Sequence, residues 1–334
     1  MPIRVAVIGA GSWGTTVAAL ASTNAPTVLW ARSAELARQI THEHRNGRYL
    51  PDFTLPETLV ATASLEEAVG DADVVVMGVP SHGMRSTLRA LAPHVRPWIP
   101  VISLAKGLEE GTRLRMTQVI AEELPGHPVG TLTGPNLAQE ILSGHAAATV
   151  VAVSDEHVAA ALQRVFGTEL FRIYTNPDVV GCEIAGALKN VVAIASGITD
   201  GLGTGDNTRA ALITRGLAEL SRLGVAMGGQ ALTFAGLAGM GDLIATCISP
   251  QSRNRYVGEQ LGRGRKLDEI VAEMTMVAEG ITTTKVAVAL AEEHGVDMPL
   301  ARQVHAVLHE GMPAAEAYRG LLRREQRSEL HGLT

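Results

Sequence analysis

Aromatic residues make up only 3% of this 334-residue chain, so its core must be built from Val, Leu, Ile and Ala. Cysteine is nearly missing, with Cys182 and Cys247 alone. Two isolated cysteines supply neither a disulfide framework nor a zinc spacing, and we expect small reduced core thiols. No metal-ligating cluster is evident; His42 and His44 sit in the polar stretch THEHRNG and read as surface residues. Positive charge is not in excess, the net charge being −6. That argues against nucleic acid or an anionic membrane as the main partner. It leaves room for a small anionic substrate, which needs only one or two local cations. Long apolar runs are also scarce. The best candidate, EIAGALKNVVAIASGI (183–198), carries charge and reads as too short for a span of ~18 residues or more. The start, MPIRVAVIGAG, enters a strand without the features of a signal peptide. The expectation is a soluble, cytoplasmic protein with no stable membrane insertion.

What is present is alternation. Short β-branched runs at 4–8, 27–30, 59–62, 73–79, 100–104, 129–133, 148–153 and 170–174 are mostly separated by helical or loop segments. This predicts a mostly parallel sheet with helices on both faces. Beyond Asn176-Pro177-Asp178 the pattern changes. Ile184, Leu188, Val191, Val192, Ala195 and Ile198 recur at steps of three and four, the period of a helix. The expected fold class is α/β: a doubly wound sheet of the Rossmann type over 1–176, then an all-helical domain over 177–334. A homodimer through the helical half is open. The last residues, RREQRSELHGLT, read as a frayed polar end.

The segment VIGAGSWGT places Gly9-x-Gly11-x-x-Gly14 directly after the first strand and before a helix. In that context the pattern is a dinucleotide-binding signal. Gly9 permits the tight turn, Gly11 lets backbone approach a pyrophosphate, and Gly14 lets the helix pack on the strand. The helix N-terminus adds free N–H groups and a positive dipole end. At the end of the second strand, where an acidic residue would hold the ribose of NAD, stand Arg32 and Ser33. An arginine there suits a 2′-phosphate, so NADP(H) is favoured. Glu35 lies close enough to keep NAD(H) possible. MGVPSHG (77–83) ends another strand at the sheet edge where ligands of such folds bind.

The second signal is a lysine in an apolar helix. Lys189 has small or apolar neighbours one turn away and no acidic one to pair with locally. It could reach water from a helix edge, or it could serve chemistry. Other polar islands accompany it: Lys106 in SLAKGLEEG, Gly134-Pro135-Asn136, Asp242 in GLAGMGDLIATC, Ser252-Arg253-Asn254, and Glu279 in VAEG. Together they would bring cations, carboxylates and amides to one site. On residues alone, a hydroxyacid dehydrogenase with a carboxylate substrate and a nicotinamide-binding sensor also remain open.

The order GxGxWGT, AKGLE, GPNLAxE, GALKNVVAIASGITDGLGTGDNTRAALITRGLAE, GLAGMGDLIATC, SRNR and VAEG resembles bacterial NAD(P)-dependent glycerol-3-phosphate dehydrogenase over nearly the whole chain. The resemblance implies an enzyme interconverting dihydroxyacetone phosphate, a small phosphorylated triose, and sn-glycerol 3-phosphate for phospholipid synthesis. It makes Lys189 the general acid/base and places Lys106 near both cofactor and substrate. Asp242 and Thr246 help surround the substrate, and Ser252, Arg253 and Asn254 match its phosphate-binding loop. Gly134 and Asn136 match a substrate loop. Ser12, Trp13, Arg32, Ala138, Arg253, Val277 and Glu279 match cofactor contacts. Two departures bear on loop geometry: Ala105 stands where serine is expected, and SGHAAATVV lacks a proline often found there. For Lys189 to act as a base its pKa must fall from ~10.4. Burial and Lys106 would lower it; Asp242 and a substrate phosphate would oppose that.

Overall fold

The structure is a computed structural model that describes residues 2–274 and 276–323. Of the C-terminal stretch expected to fray, everything from residue 324 onward lies outside the described residues. The chain divides into two compact units, Met1–Ala105 with Leu114–Val179, and Lys106–Arg113 with Val180–Thr334.

The first unit is built on eight strands: β1 (Val5–Ile8), β2 (Thr27–Trp30), β3 (Val60–Thr62), β4 (Val74–Met77), β5 (Val101–Ser103), β6 (Val129–Thr133), β7 (Ala147–Val153) and β8 (Phe171–Asn176). Their order in the sheet is β3-β2-β1-β4-β5-β6-β7-β8. All neighbours are parallel except β6 and β7, which run antiparallel. All eight strands arise at the runs read from the sequence, with ends shifted by a residue or two in most.

The central strands VAVI and VVVM are buried at every position, as expected for a parallel sheet covered on both faces. Side chains alternate across the sheet. Val5, Val7, Val74 and Val76 join Val17 and Phe166 in one core. Ala6, Ile8, Val75 and Met77 join Met84 and Leu88 in the other. Aliphatic side chains dominate both cores, as the shortage of aromatics requires.

The second unit is helical, and no strand occurs among its described residues. Its central helix, Val179–Gly201, is 23 residues long. The reading of this segment as too short to span is therefore corrected: by length and composition it passes, and so does Ala231–Ile248. Residues Gly181 to Thr199 are nonetheless buried inside the protein without a break. A helix buried all round needs no polar face. Helix Arg253–Gly262 crosses it at backbone contact. A Cβ at Gly197 would overlap the Arg255 carbonyl oxygen, and one at Gly258 would overlap that of Ile194. Cys182 and Cys247 are buried and lie outside any disulfide, as expected, and burial pushes Cys247 up to about 12.

Candidate active site

In the first unit the glycine turn leaves β1 at Ile8. Gly9 has φ +122°, and a Cβ there would lie 2.8 Å from the Gly78 carbonyl carbon and oxygen. Gly78, from MGVPSHG, itself donates its N–H to Ile8 O at 2.8 Å, so that second strand end abuts the turn. Helix Ser12–Ser22 starts immediately afterwards. Gly14 sits so close to the Gly9 carbonyl that any side chain would overlap it. Gly11 is different: a Cβ there meets nothing within 4 Å. The indole N–H of Trp13 is buried and has no hydrogen-bond partner. Open space at Gly11, at a helix start with no side-chain cap, is what a pyrophosphate requires. The residues present therefore fit a dinucleotide.

Arg32 follows β2 and is exposed. Ser33 caps helix Ala34–Glu43, its hydroxyl accepting from Leu36 N at 3.3 Å. The Glu35 carboxylate is held by Arg38 at 2.6 Å through both oxygens. Further along, Gly134 and Asn136 follow β6, and Ala138 opens helix Ala138–Leu142. Ala105 N donates to Ser103 Oγ at 3.2 Å, so a serine hydroxyl does hold this loop, from two residues earlier than the resemblance implied.

In the second unit Lys189 is 5% exposed and Asp242 1%. The missing partner of Lys189 is thus a carboxylate 53 residues away. Lys189 Nζ donates to Asp242 Oδ1 at 2.5 Å and to Thr246 Oγ1 at 2.6 Å. Lys106 Nζ donates to the other oxygen, Asp242 Oδ2, at 2.7 Å. One carboxylate therefore lies between two ammonium groups. The local sequence explains its position. A π-helical turn, Leu237–Gly241, leads into helix Asp242–Ile248. Asp242 and Thr246 are one turn apart and share a face. Burial pushes Lys189 down to about 7; Asp242 resists the fall and Lys106 adds to it. A group with that value can hold or release a proton near neutrality.

The neighbouring loop extends the cluster. Ser252 caps helix Arg253–Gly262 by accepting from Arg255 N at 3.2 Å. Arg253 is exposed, and its Nη1 donates to Val277 O at 2.7 Å. Asn254 Oδ1 accepts from Gly280 N at 3.0 Å, one residue past Glu279. Asn254 Nδ2 donates to Asn190 Oδ1 at 2.9 Å, and Asn190 Nδ2 donates to Lys106 O at 2.9 Å. The structure thus brings Lys189, Lys106, Asp242 and Thr246 together, and ties Arg253 to Val277. Asn190 was missed as a site residue. The clue was available, since an amide beside Lys189 in an apolar helix must find buried partners.

The family model described as the NAD-dependent glycerol-3-phosphate dehydrogenase N-terminus matches residues 4–159, and that of its C-terminus matches 178–319. A glycerol-3-phosphate dehydrogenase [NAD(P)+] of Sphingopyxis alaskensis is 57% identical over 331 residues, covering 99% of each chain. One from Mycobacterium tuberculosis is 55% identical over 98% of this chain and 97% of its own. Among solved structures, the Coxiella burnetii glycerol-3-phosphate dehydrogenase superposes with a TM-score of 0.92 at 37% identity, covering 97% of this chain and 99% of that one.

Proposed function

Because the chain belongs to the NAD-dependent glycerol-3-phosphate dehydrogenase family, we propose that Lys189 is the proton-transfer group of this enzyme. The reaction is the NAD(P)(H)-dependent interconversion of dihydroxyacetone phosphate and sn-glycerol 3-phosphate. The observation that carries the assignment is the buried Lys189 ammonium, held by Asp242 and Thr246 and poised near neutrality.

When bound, the nicotinamide cofactor supplies or takes up the hydride at C2. In the reducing direction Lys189 starts protonated, polarises the C2 carbonyl and gives its proton to the oxygen. In the oxidising direction neutral Lys189 takes the proton from the C2 hydroxyl. Asp242 holds the ammonium in place, and Lys106 keeps it from being over-stabilised. Arg253 is the phosphate group's partner, because its planar fork can offer two parallel N–H donors. Ser252 and Asn254 shape that loop. In this reading residues 1–176 bind the dinucleotide and 177–334 carry the substrate chemistry, with Lys106 contributed from earlier in the chain. The enzyme would act in the cytoplasm, supplying glycerol 3-phosphate for phospholipid synthesis.

The assay is loss of reduced-nicotinamide absorbance with dihydroxyacetone phosphate. Its pH dependence gives a signed test. Reduction needs Lys189 charged, so kcat/KM for the ketone should fall as pH rises through about 7. Oxidation needs it neutral, so kcat/KM for the alcohol should rise through the same region. Two profiles moving in the same direction there would remove Lys189 from the proton step. For the cofactor, Arg32→Ala should raise KM for NADPH about tenfold while moving that for NADH far less, since only one carries the 2′-phosphate. Equal changes for both would show Arg32 serving the shared adenosine instead.

A further inference from the structure

The antiparallel ladder of β6 and β7 ends with Thr133 opposite Val150. One step further the register would set Gly134 opposite Thr149. The ladder does not continue. Gly134 takes φ +154°, and the chain turns away into Pro135 and Asn136. A Cβ at Gly134 would lie 2.9 Å from Thr149 Oγ1 and 3.0 Å from Thr149 Cα. The Thr149 side chain therefore packs directly on the bare Cα of the turn.

Thr149 is fully buried, and both roles of its hydroxyl are used. Its single proton goes to Thr133 O at 2.9 Å. A hydroxyl has one proton and two lone pairs, so toward any second partner it can only accept. That partner is Asn136, whose Nδ2 donates to Thr149 Oγ1 at 2.9 Å. The orientation of a side-chain amide must be decided by its hydrogen bonds, and here the decision is forced. Asn136 must turn its NH2 to Thr149, which leaves its carbonyl oxygen as the other end. That oxygen, Asn136 Oδ1, is buried and has no hydrogen-bond partner. A buried acceptor without a partner costs about 1–3 kcal/mol, so a donor from a ligand would recover it.

We infer that Thr149 is a positioning residue: by donating to Thr133 O it fixes the Asn136 amide so that Oδ1 is presented as an acceptor for a hydroxyl of the bound triose phosphate. This rests on the reading of Gly134 and Asn136 as a substrate loop. Neither Thr149 nor its hydroxyl is singled out by any sequence motif, and it lies in the SGHAAATVV stretch that departs from the family pattern.

The test uses the full-length enzyme and four variants, each checked for thermal stability and cofactor affinity. Asn136→Ala should raise KM for dihydroxyacetone phosphate about tenfold. Thr149→Val keeps the shape and removes the hydroxyl; it should raise the same KM roughly fivefold, with kcat and KM for NADPH little changed. Thr149→Ser restores the hydroxyl and should bring KM back to near the wild-type value. The double variant Thr149→Val with Asn136→Ala should be no worse than Asn136→Ala alone, because both act on one contact. If the valine variant is insoluble, Thr149→Cys, with a weak S–H donor, takes its place in the same comparison. An unchanged KM in Asn136→Ala would overturn the substrate-loop reading itself. A raised KM there with an unchanged KM in Thr149→Val, no rescue by serine, or additive effects in the double variant would overturn the positioning role alone.

Discussion

Lys189→Met should lower kcat for dihydroxyacetone phosphate reduction by about 10³- to 10⁴-fold, while the affinity for NADPH stays within about twofold of wild type. The first figure is the upper range for losing a positioned proton donor. The second follows from the division of the chain. The glycine turn from Gly9 to Gly14 lies in the first unit, whereas Lys189 belongs to the second. Methionine suits the position because it fills similar volume in a helix buried from Gly181 to Thr199. Asp242 keeps Lys106 as a partner at 2.7 Å, so the variant does not strand an unpaired buried carboxylate. Single-turnover absorbance with titrated NADPH separates the two quantities. A variant that turns over at near the wild-type rate would transfer the proton role to another group, with Lys106 the first to examine.

Asp242→Asn should act on the same lysine through its proton. The carboxylate at 2.5 Å is what holds the Lys189 proton against burial and against Lys106. Without it two ammonium groups share a buried site, and the pKa of Lys189 must fall below about 7. Reduction should drop by about 10²-fold at neutral pH, with the remaining activity moved to more acid conditions. Stability changes with a definite sign. In the unfolded chain the lysine has a pKa of ~10.4. Between that value and the lower folded value the unfolded state binds more protons, so stability falls as pH is lowered. In the wild type this loss levels off near 7; in Asp242→Asn it continues below. Melting temperatures of the two proteins should therefore diverge progressively as pH is taken from 8 to 5. A constant difference across that range would show that Asp242 does not control the Lys189 proton.

Most of the first unit could be read from residues because its signals are local. A strand buried on both faces is a short β-branched run, and the glycine turn is a fixed spacing beside one. Gly9 and Gly14 are glycine for reasons that spacing alone anticipates. The second unit shows its helices through their period, but not what they hold. Lys189 looked unpaired because helical neighbours are all that a sequence pattern exposes. Its partner Asp242 comes from a turn 53 residues on. Asn190 stayed hidden for the same reason: its partners, Lys106 O and Asn254, lie 84 and 64 residues away. The length of helix Val179–Gly201 was underestimated because Glu183 and Lys189 look like interruptions. Their burial shows that tertiary partners, not the local pattern, decide where a charge can sit.

The crossing of the Lys189 helix with helix Arg253–Gly262 has a consequence for substrate choice. Gly197 and Gly258 bring the two backbones into contact, so the helices can be pushed apart but not drawn closer. In the roles proposed above, one would carry the proton donor, Lys189, and the other the phosphate anchor, Arg253. The crossing is then a gauge set at its shortest stop. Substitutions there can lengthen the reach from phosphate to carbonyl, toward longer sugar phosphates, but none can shorten it.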